Sequence, residues 1–400
     1  MIRKQKWLLL TATYLIAAAL SPILVSAEGP DIQSESAVLM DGKTGQILYD
    51  KNGNQEMYPA SITKIVTALM AVESGKLNES ATVSQNARDV DGTRVYLEEG
   101  ETVVLEKLVK GMMVNSGNDA AIAIAEHLSG SVQAFAEDMN TFVKEEIGVE
   151  NSHFTNPHGL FNENHVVTAE DMAKITQYAM KNNQFRSLAG IEQMDWSREN
   201  WDTTLINHHR LLLDYDYVTG GKNGYVSQSG FTLVTTAEKD NRELIAVTIK
   251  ANDDQIAYQD TLTLLNYGFD SFSSVVYSEG TELGELNGKK YSLTEDVTLL
   301  QDGEEGLELE MNEAGELESK ASELTSTLDS DLMTVTSVEE DASDKSKEAT
   351  PAVQVKDEDT EAFLTSHTIF YGGISIFAFI LLMLIFGRSK STYKRSRSFP

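Results

Sequence analysis

The sequence predicts an α+β fold: an antiparallel sheet flanked by helices, then a small β-rich unit and a C-terminal transmembrane helix. Three observations carry this. A strand hairpin opens the exported part of the chain, a long run of helical periodicity follows, and strand patterning returns only after Gly224. Strands from the two ends of that run then join one sheet.

The elements follow in order. Ser36–Met40 and Gln46–Tyr49 read as strands around the turn residues Asp41-Gly42-Lys43-Thr44-Gly45, which makes a hairpin. From Ile62 to Glu73 the apolar residues Ile65, Val66, Ala68, Leu69 and Val72 recur at helical spacing. Leu105–Met113, Ala120–Leu128 and Ala169–Met180 read as further helices. Gly230–Ala237 and Arg242–Ile249 read as paired strands across a polar turn, and a last helix is expected near Tyr258–Tyr267. Short strand-like pieces such as Lys290–Leu293 and Val297–Leu300 mark the β-rich unit, placed at residues 273–335. Residues 336–366 are rich in Ser, Asp, Glu and Lys and read as a disordered acidic stalk. If flexible, about 25 such residues reach on the order of 30 Å.

The two ends set the expected location. Arg3, Lys4 and Lys6 precede an apolar stretch, Trp7–Ala19, and Val25-Ser26-Ala27 offers small residues for cleavage. Residues 1–27 therefore read as a secretory signal peptide, with an uncleaved anchor helix as the alternative. Ile369–Phe386 carries no charge and has the length to span a bilayer, so a transmembrane helix is placed at residues 367–387. Arg388, Lys390, Lys394, Arg395 and Arg397 follow it, so residues 388–400 form a basic cytoplasmic tail by the positive-inside bias. The bulk of the chain is expected outside the cell, tethered to the membrane and facing the cell wall.

Composition excludes some chemistry. There is no cysteine, so cysteine nucleophiles, thiolate metal sites and disulfides are ruled out. The net charge of −30 argues against nucleic acid as a partner.

Three short motifs carry chemistry. Ser61-Ile62-Thr63-Lys64 is a Ser-x-x-Lys at the start of the first amphipathic helix, and a spacing of three puts both side chains on one face. A serine is a weak nucleophile until a base takes its proton. A lysine can be that base if burial and a neighbouring cation lower its pKa. The tetrapeptide alone is weak. Ser391-Thr392-Tyr393-Lys394 also fits, and Ser61 as a helix cap beside a solvated Lys64 is the commoner arrangement. Ser116-Gly117-Asn118 is a Ser-x-Asn between two helices, with Ser84-Gln85-Asn86 as a decoy and an ordinary interhelical turn as the alternative. Lys222-Asn223-Gly224 is a Lys-x-Gly before the strand pair, whereas Lys43-Thr44-Gly45 and Lys51-Asn52-Gly53 precede Ser61. A strand edge there can give a bound peptide a cation and a backbone N–H.

In this order the three motifs are the set found in penicillin-binding proteins and class A β-lactamases. Their surroundings are more specific. Pro59–Lys64, Asn115–Ala121, Asn156-Pro157-His158-Gly159-Leu160 and Thr168–Ala173 resemble the D-alanyl-D-alanine carboxypeptidases, the low-molecular-mass penicillin-binding proteins of serine peptidase family S11. Ala37–Asp41 and Leu264–Phe269 resemble that family's first strand and last helix, so the resemblance covers about Ser36 to Phe272. It implies a β-lactamase/transpeptidase-like domain over residues 28–272. It also implies peptidoglycan stem peptides as substrate, β-lactams as covalent inhibitors, and no cofactor or metal. By resemblance Ser61 is the nucleophile, Lys64 the general base and Ser116 a proton relay to the leaving amine. Asn118 binds peptide and positions Lys64, and Lys222 adds charge and lowers the pKa of Lys64. The N–H groups of Ser61 and Tyr225 form the oxyanion hole.

Three positions depart from the family pattern. Asn223 stands where Thr is usual, Val226 replaces a hydroxyl residue, and Ala257 aligns with an arginine that relatives often carry. All three serve the substrate's terminal carboxylate in the resemblance, and each lost charge-assisted contact costs about 1.5–3 kcal/mol. Weak carboxypeptidase activity, or a preference for cross-links, is therefore expected. A zinc enzyme built on His158, His165, His208 and His209 is disfavoured, because no His-Glu-x-x-His is present. A glycosidase lacks a singled-out carboxylate pair. A β-lactamase would share Ser61 and Lys64, and a non-catalytic wall-binding protein is the rival of another class.

Overall fold

The computed structural model describes residues 29–336 apart from 199–200, 287–288, 303–306, 313–314, 322–323 and 329–331. The expected signal peptide, the transmembrane run and the basic tail lie outside the described residues, as does the stalk beyond residue 336. Among the described residues no helix is long and apolar enough to cross a membrane.

Strands β1 (Ser36–Asp41), β2 (Ile47–Lys51), β3 (Val218–Val226), β4 (Gly230–Lys239) and β5 (Arg242–Ala251) form one antiparallel sheet in the order β2-β1-β5-β4-β3. Strand β1 pairs with β5 from Ser36 opposite Ile249 to Asp41 opposite Leu244, so the ends of the chain's main fold meet as expected. All six residues of β1 are buried, because both faces of the sheet are covered. Val38 and Met40 point into the larger core with Ile245, Val247 and Ile249. Ala37 and Leu39 point into a second core with Leu244, Ala246, Leu264 and Leu265. This is the period-2 alternation of a strand with two apolar faces.

On the larger-core side lie helices α1 (Lys64–Glu73), α2 (Leu105–Asn115), α3 (Asn118–Ser129), α4 (Val132–Glu145), α5 (Ala169–Lys181) and α6 (Asn183–Ala189). Helix α7 (Asp254–Asp270) covers the other face. Ser131, Thr168 and Asp253 cap α4, α5 and α7 by accepting backbone N–H bonds. Helices α4 and α6 and a polar hairpin, Gln193–Arg198 with Trp201–Ile206, add to the elements read from sequence.

Residues from Phe272 onward form three small antiparallel sheets around Leu283, Leu293, Val297, Leu299, Leu307, Leu317 and Leu328. They join the main sheet at the β1–β2 hairpin. Gln46 Nε2 donates to Leu300 O (2.7 Å) and Gln46 Oε1 accepts from Leu300 N (2.8 Å). Ile47 N donates to Ser326 Oγ at 2.7 Å. This junction involves β2, at the opposite edge of the sheet from β3, where the motifs gather.

Candidate active site

Ser61 does not sit in the α-helix that its periodicity suggests. It lies in a one-turn 3₁₀ segment, Ala60–Thr63, that feeds α1. At three residues per turn, side chains at i and i+3 eclipse, so Lys64 lies directly over Ser61. Ala60 just before it takes φ of 50°, a conformation costly for any residue with a Cβ. Two contacts hold this elbow. Thr232 Oγ1, on β4, donates to Pro59 O at 2.8 Å. Gly159 packs so tightly that a Cβ there would lie 1.8 Å from Ala60 O.

Lys64 is completely buried. Its Nζ lies 2.7 Å from His158 O, 2.8 Å from Asn118 Oδ1 and 2.9 Å from Ser61 Oγ. The first two partners are carbonyl oxygens, which only accept, so two N–H bonds are committed to them. The third position faces the serine. It is an N–H when the lysine is charged and a lone pair when it is neutral. Burial pushes the Lys64 pKa well down and the Lys222 ammonium pushes it further, against a smaller opposing pull from Asp119. In the neutral form of Lys64 the geometry aims its lone pair at the Ser61 hydroxyl.

Ser116 ends α2 in the left-handed conformation, φ 58°, and Gly117 opens α3. Asn118 follows as the first residue of α3, with Oδ1 on Lys64 and Nδ2 donating to Asp91 O at 2.7 Å. Its amide orientation is therefore set from both ends. Asp119 stiffens the facing loop by accepting from Val95 N (2.9 Å) and Leu97 N (3.0 Å). The Ser116 hydroxyl is nearly buried and has no hydrogen-bond partner among the described residues.

Lys222, Asn223, Gly224 and Tyr225 lie on edge strand β3. Lys222 is buried, its Nζ donates to Asn223 O at 2.8 Å, and burial lowers its pKa to about 7. Asn223 Oδ1 lies 3.4 Å from the same ammonium. A Cβ on Gly224 would lie 2.5 Å from Ser61 N, so glycine lets the strand backbone meet the serine's amide. The Tyr225 ring is exposed and stacks on Phe231 at 4.6 Å. Ser61, Lys64, Asn118 and Lys222 are thus joined by hydrogen bonds or direct electrostatic coupling, and the backbone of Gly224 joins them.

The decoys separate cleanly. Ser84 caps a short helix by accepting from Ala87 N, and Lys43 Nζ donates to Asn241 O in a turn. The four histidines do not converge. His158 and His165 are buried with pKa values lowered to about 3 by burial, and His209 to about 4. Each makes local bonds, such as His158 Nδ1 accepting from Leu160 N. Among the described residues no cluster of three or more His, Asp or Glu could hold a metal.

Sequence reasoning missed the role of the Asn156–Leu160 block. It supplies His158 O to Lys64, Pro157 O to Thr67 Oγ1 (2.7 Å) and the Gly159 contact with Ala60. Backbone carbonyls have no side-chain signature, so only the resemblance of the block pointed to it.

The sequence model of family S11, described as D-alanyl-D-alanine carboxypeptidase, matches residues 23–253. The chain belongs to this family. It is accordingly a serine-type carboxypeptidase, a hydrolase. The S11 chain is 35% identical over 266 residues to D-alanyl-D-alanine carboxypeptidase DacF of Bacillus subtilis, covering 64% of this chain and 68% of that one. It is 34% identical over 288 residues to DacA of Haemophilus influenzae, covering 67% and 72%. Among solved structures, penicillin binding protein 5 from Haemophilus influenzae aligns with a TM-score of 0.64 at 26% identity, over 78% of this chain and 98% of that one. Penicillin binding protein 6B from Escherichia coli aligns at 0.61 and 27%, over 77% and 98%.

Proposed function

We propose that the chain removes the terminal D-alanine of peptidoglycan stem peptides through an acyl-enzyme on Ser61. Neutral Lys64 takes the Ser61 proton as Oγ attacks the carbonyl between the two D-alanines. The N–H groups of Ser61 and Tyr225 receive the oxyanion. Lys64 passes that proton through Ser116 to the leaving amine and D-alanine departs; neutral Lys64 then takes a proton from the attacking water and delivers it to Ser61 Oγ as the ester bond breaks, which restores the serine hydroxyl and the neutral lysine. Asn118 holds Lys64 and the peptide, and Lys222 keeps Lys64 neutral. The observation that carries this reading is the buried Lys64 Nζ, 2.9 Å from Ser61 Oγ with its other two contacts taken by carbonyl oxygens. The test is D-alanine release and covalent penicillin labelling by the full chain in detergent, beside Ser61→Ala. Loss of both in the variant is expected, and retention of either contradicts the assignment.

Asn223, Val226 and the buried Ala257 favour a second reading, D,D-endopeptidase action on cross-links. Cross-link cleavage outpacing D-alanine release would support it. The apolar runs at residues 7–19 and 369–386 support export and a single C-terminal anchor, with residues 28–366 facing the wall. Fractionation with protease accessibility on intact cells tests this. Cleavage of that region from outside is expected, and protection of it sinks the placement.

A further inference from the structure

His165 makes no hydrogen bond to Ser61 or Lys64, yet its side chain joins the segments that carry them. The ring is 2% exposed and packs edge-on against Phe154. Its Nδ1 accepts from Thr155 N at 3.1 Å, so the proton of the neutral imidazole sits on Nε2. Nε2 then donates to Thr63 Oγ1 at 2.9 Å. Burial, with a smaller push from His153, lowers the pKa of the ring to about 3, so this tautomer persists at physiological pH.

What lies at each end of this strut gives it a consequence. Thr63 is fully buried, closes the 3₁₀ segment that holds Ser61, and directly precedes Lys64. Thr155 opens the turn that ends at Leu160. Asn156 Nδ2 donates to Thr155 Oγ1 (3.3 Å) and to Leu160 O (3.0 Å). Asn156 Oδ1 accepts from His158 N (3.3 Å) and Gly159 N (2.7 Å). The turn so braced presents His158 O to Lys64 Nζ at 2.7 Å. The contacts therefore close a circuit, from Lys64 through Thr63, His165, Thr155, Asn156 and His158 back to the Lys64 ammonium position. Thr67 Oγ1, one turn further along α1, donates to Pro157 O and anchors the same turn at a second point. One anchor leaves a turn free to pivot, and the His165 strut removes that freedom on the nucleophile's side.

We infer that His165 is a positioning residue for acyl transfer: by tying Thr63 to the Thr155–Leu160 turn it sets His158 O against Lys64 Nζ, which leaves the third lysine position facing Ser61 Oγ. This rests on the Ser61 reading above. Being buried, His165 cannot reach the peptide, so it acts on the rate of acylation and not on substrate binding. If His158 O moves away, a Lys64 N–H is released and can turn toward Ser61 Oγ in place of the lone pair. An acceptor that favours the ammonium is lost as well, so the Lys64 pKa falls further.

The test measures acylation by penicillin with the full chain in detergent, separating the first-order rate constant at saturation from the dissociation constant of the noncovalent complex, across pH. A first-order constant does not depend on how much of the protein is folded, so it distinguishes positioning from loss of fold. Thr63→Val keeps the branched shape and removes the acceptor for His165 Nε2. It should slow acylation about 10-fold or more, leave the dissociation constant within about 2-fold, and move the acid limb to lower pH. His165→Gln keeps a donor for Thr63 and should retain more of the rate than His165→Ala. Adding His165→Gln to Thr63→Val should slow acylation by less than a further 2-fold or so, because both act along one path. An unchanged rate constant and acid limb in Thr63→Val, a loss that falls on the dissociation constant, or additive losses in the double variant would overturn the role of His165. Absence of labelling in Ser61→Ala would leave the acylation reading standing in each of those cases. Labelling of Ser61→Ala at the wild-type rate would remove the acylation reading and this inference with it.

Discussion

Replacing Lys222 by methionine should make the protein more stable and less active, and pH should separate the two effects. The side chain is 1% exposed, and burial lowers its pKa from 10.5 to about 7. At about 1.4 kcal/mol per pH unit, this difference corresponds to a penalty on the order of 5 kcal/mol for holding the charge inside. The pH window follows from the two values. Above about 10.5 the lysine is neutral in both states and costs nothing. As pH falls from 10.5 toward 7, the unfolded chain binds a proton that the folded chain does not, so folding weakens. Below 7 both states are protonated and the full penalty stays. Lys222→Met should therefore raise stability in urea by up to about 5 kcal/mol near pH 6 and by much less near pH 10. Activity should move the other way. Without the Lys222 ammonium, the Lys64 pKa rises, because one of its two depressing influences is gone. The acid limb of kcat/KM for D-alanine release should shift upward in pH. Chemical denaturation at several pH values and a pH–rate profile measure both. A variant destabilised equally at all pH values, with the acid limb unmoved, would refute the reasoning.

Further outcomes follow from the same geometry. Asn118→Asp places a carboxylate where an amide oxygen lies 2.8 Å from Lys64 Nζ, so it stabilises the ammonium. The acid limb should rise by about 1–3 pH units, and an unshifted profile would disconnect Asn118 from Lys64. Gly159→Ala adds a Cβ 1.8 Å from Ala60 O at φ 85° and should cost about 2–4 kcal/mol as well as activity. A loss under about 0.5 kcal/mol in a denaturant titration would show that the elbow tolerates movement. Asn223→Thr restores a hydroxyl beside Lys222 and should raise kcat/KM for the free-acid pentapeptide about 10-fold, and no gain would mean that Asn223 is not limiting.

Much of this was legible because the relevant patterns are local. Val38, Met40, Leu244 and Val247 alternate as strand residues do, and the sheet forms where they fall. The Ser61, Ser116 and Lys222 motifs each have decoys, and order along the chain singles out the copies whose Ser61, Lys64, Asn118, Lys222 and Gly224 the structure brings together. What escaped was set by backbone and long-range packing. The 3₁₀ turn under Ser61 arises from Thr232 and Gly159, far away in sequence, overriding the helical period of Ile62–Glu73. Among its described residues the hairpin Gln193–Ile206 buries little beyond Trp196 and Leu205, so they carry no alternation to read. Helix α4 shows its apolar face at Phe135, Met139 and Val143, and its Ser131 cap was available to a closer reading.

The central claim is that Ser61, activated by a neutral buried Lys64, forms the acyl-enzyme. The most direct measurement is intact-protein mass after brief exposure of the full chain to penicillin, paired with D-alanine release from a stem pentapeptide. One added penicillin mass on the Ser61 peptide, with release lost in both Ser61→Ala and Lys64→Ala, is the result expected. A folded wild-type protein that gains no mass and releases no D-alanine from pentapeptide or cross-linked dimer would contradict it.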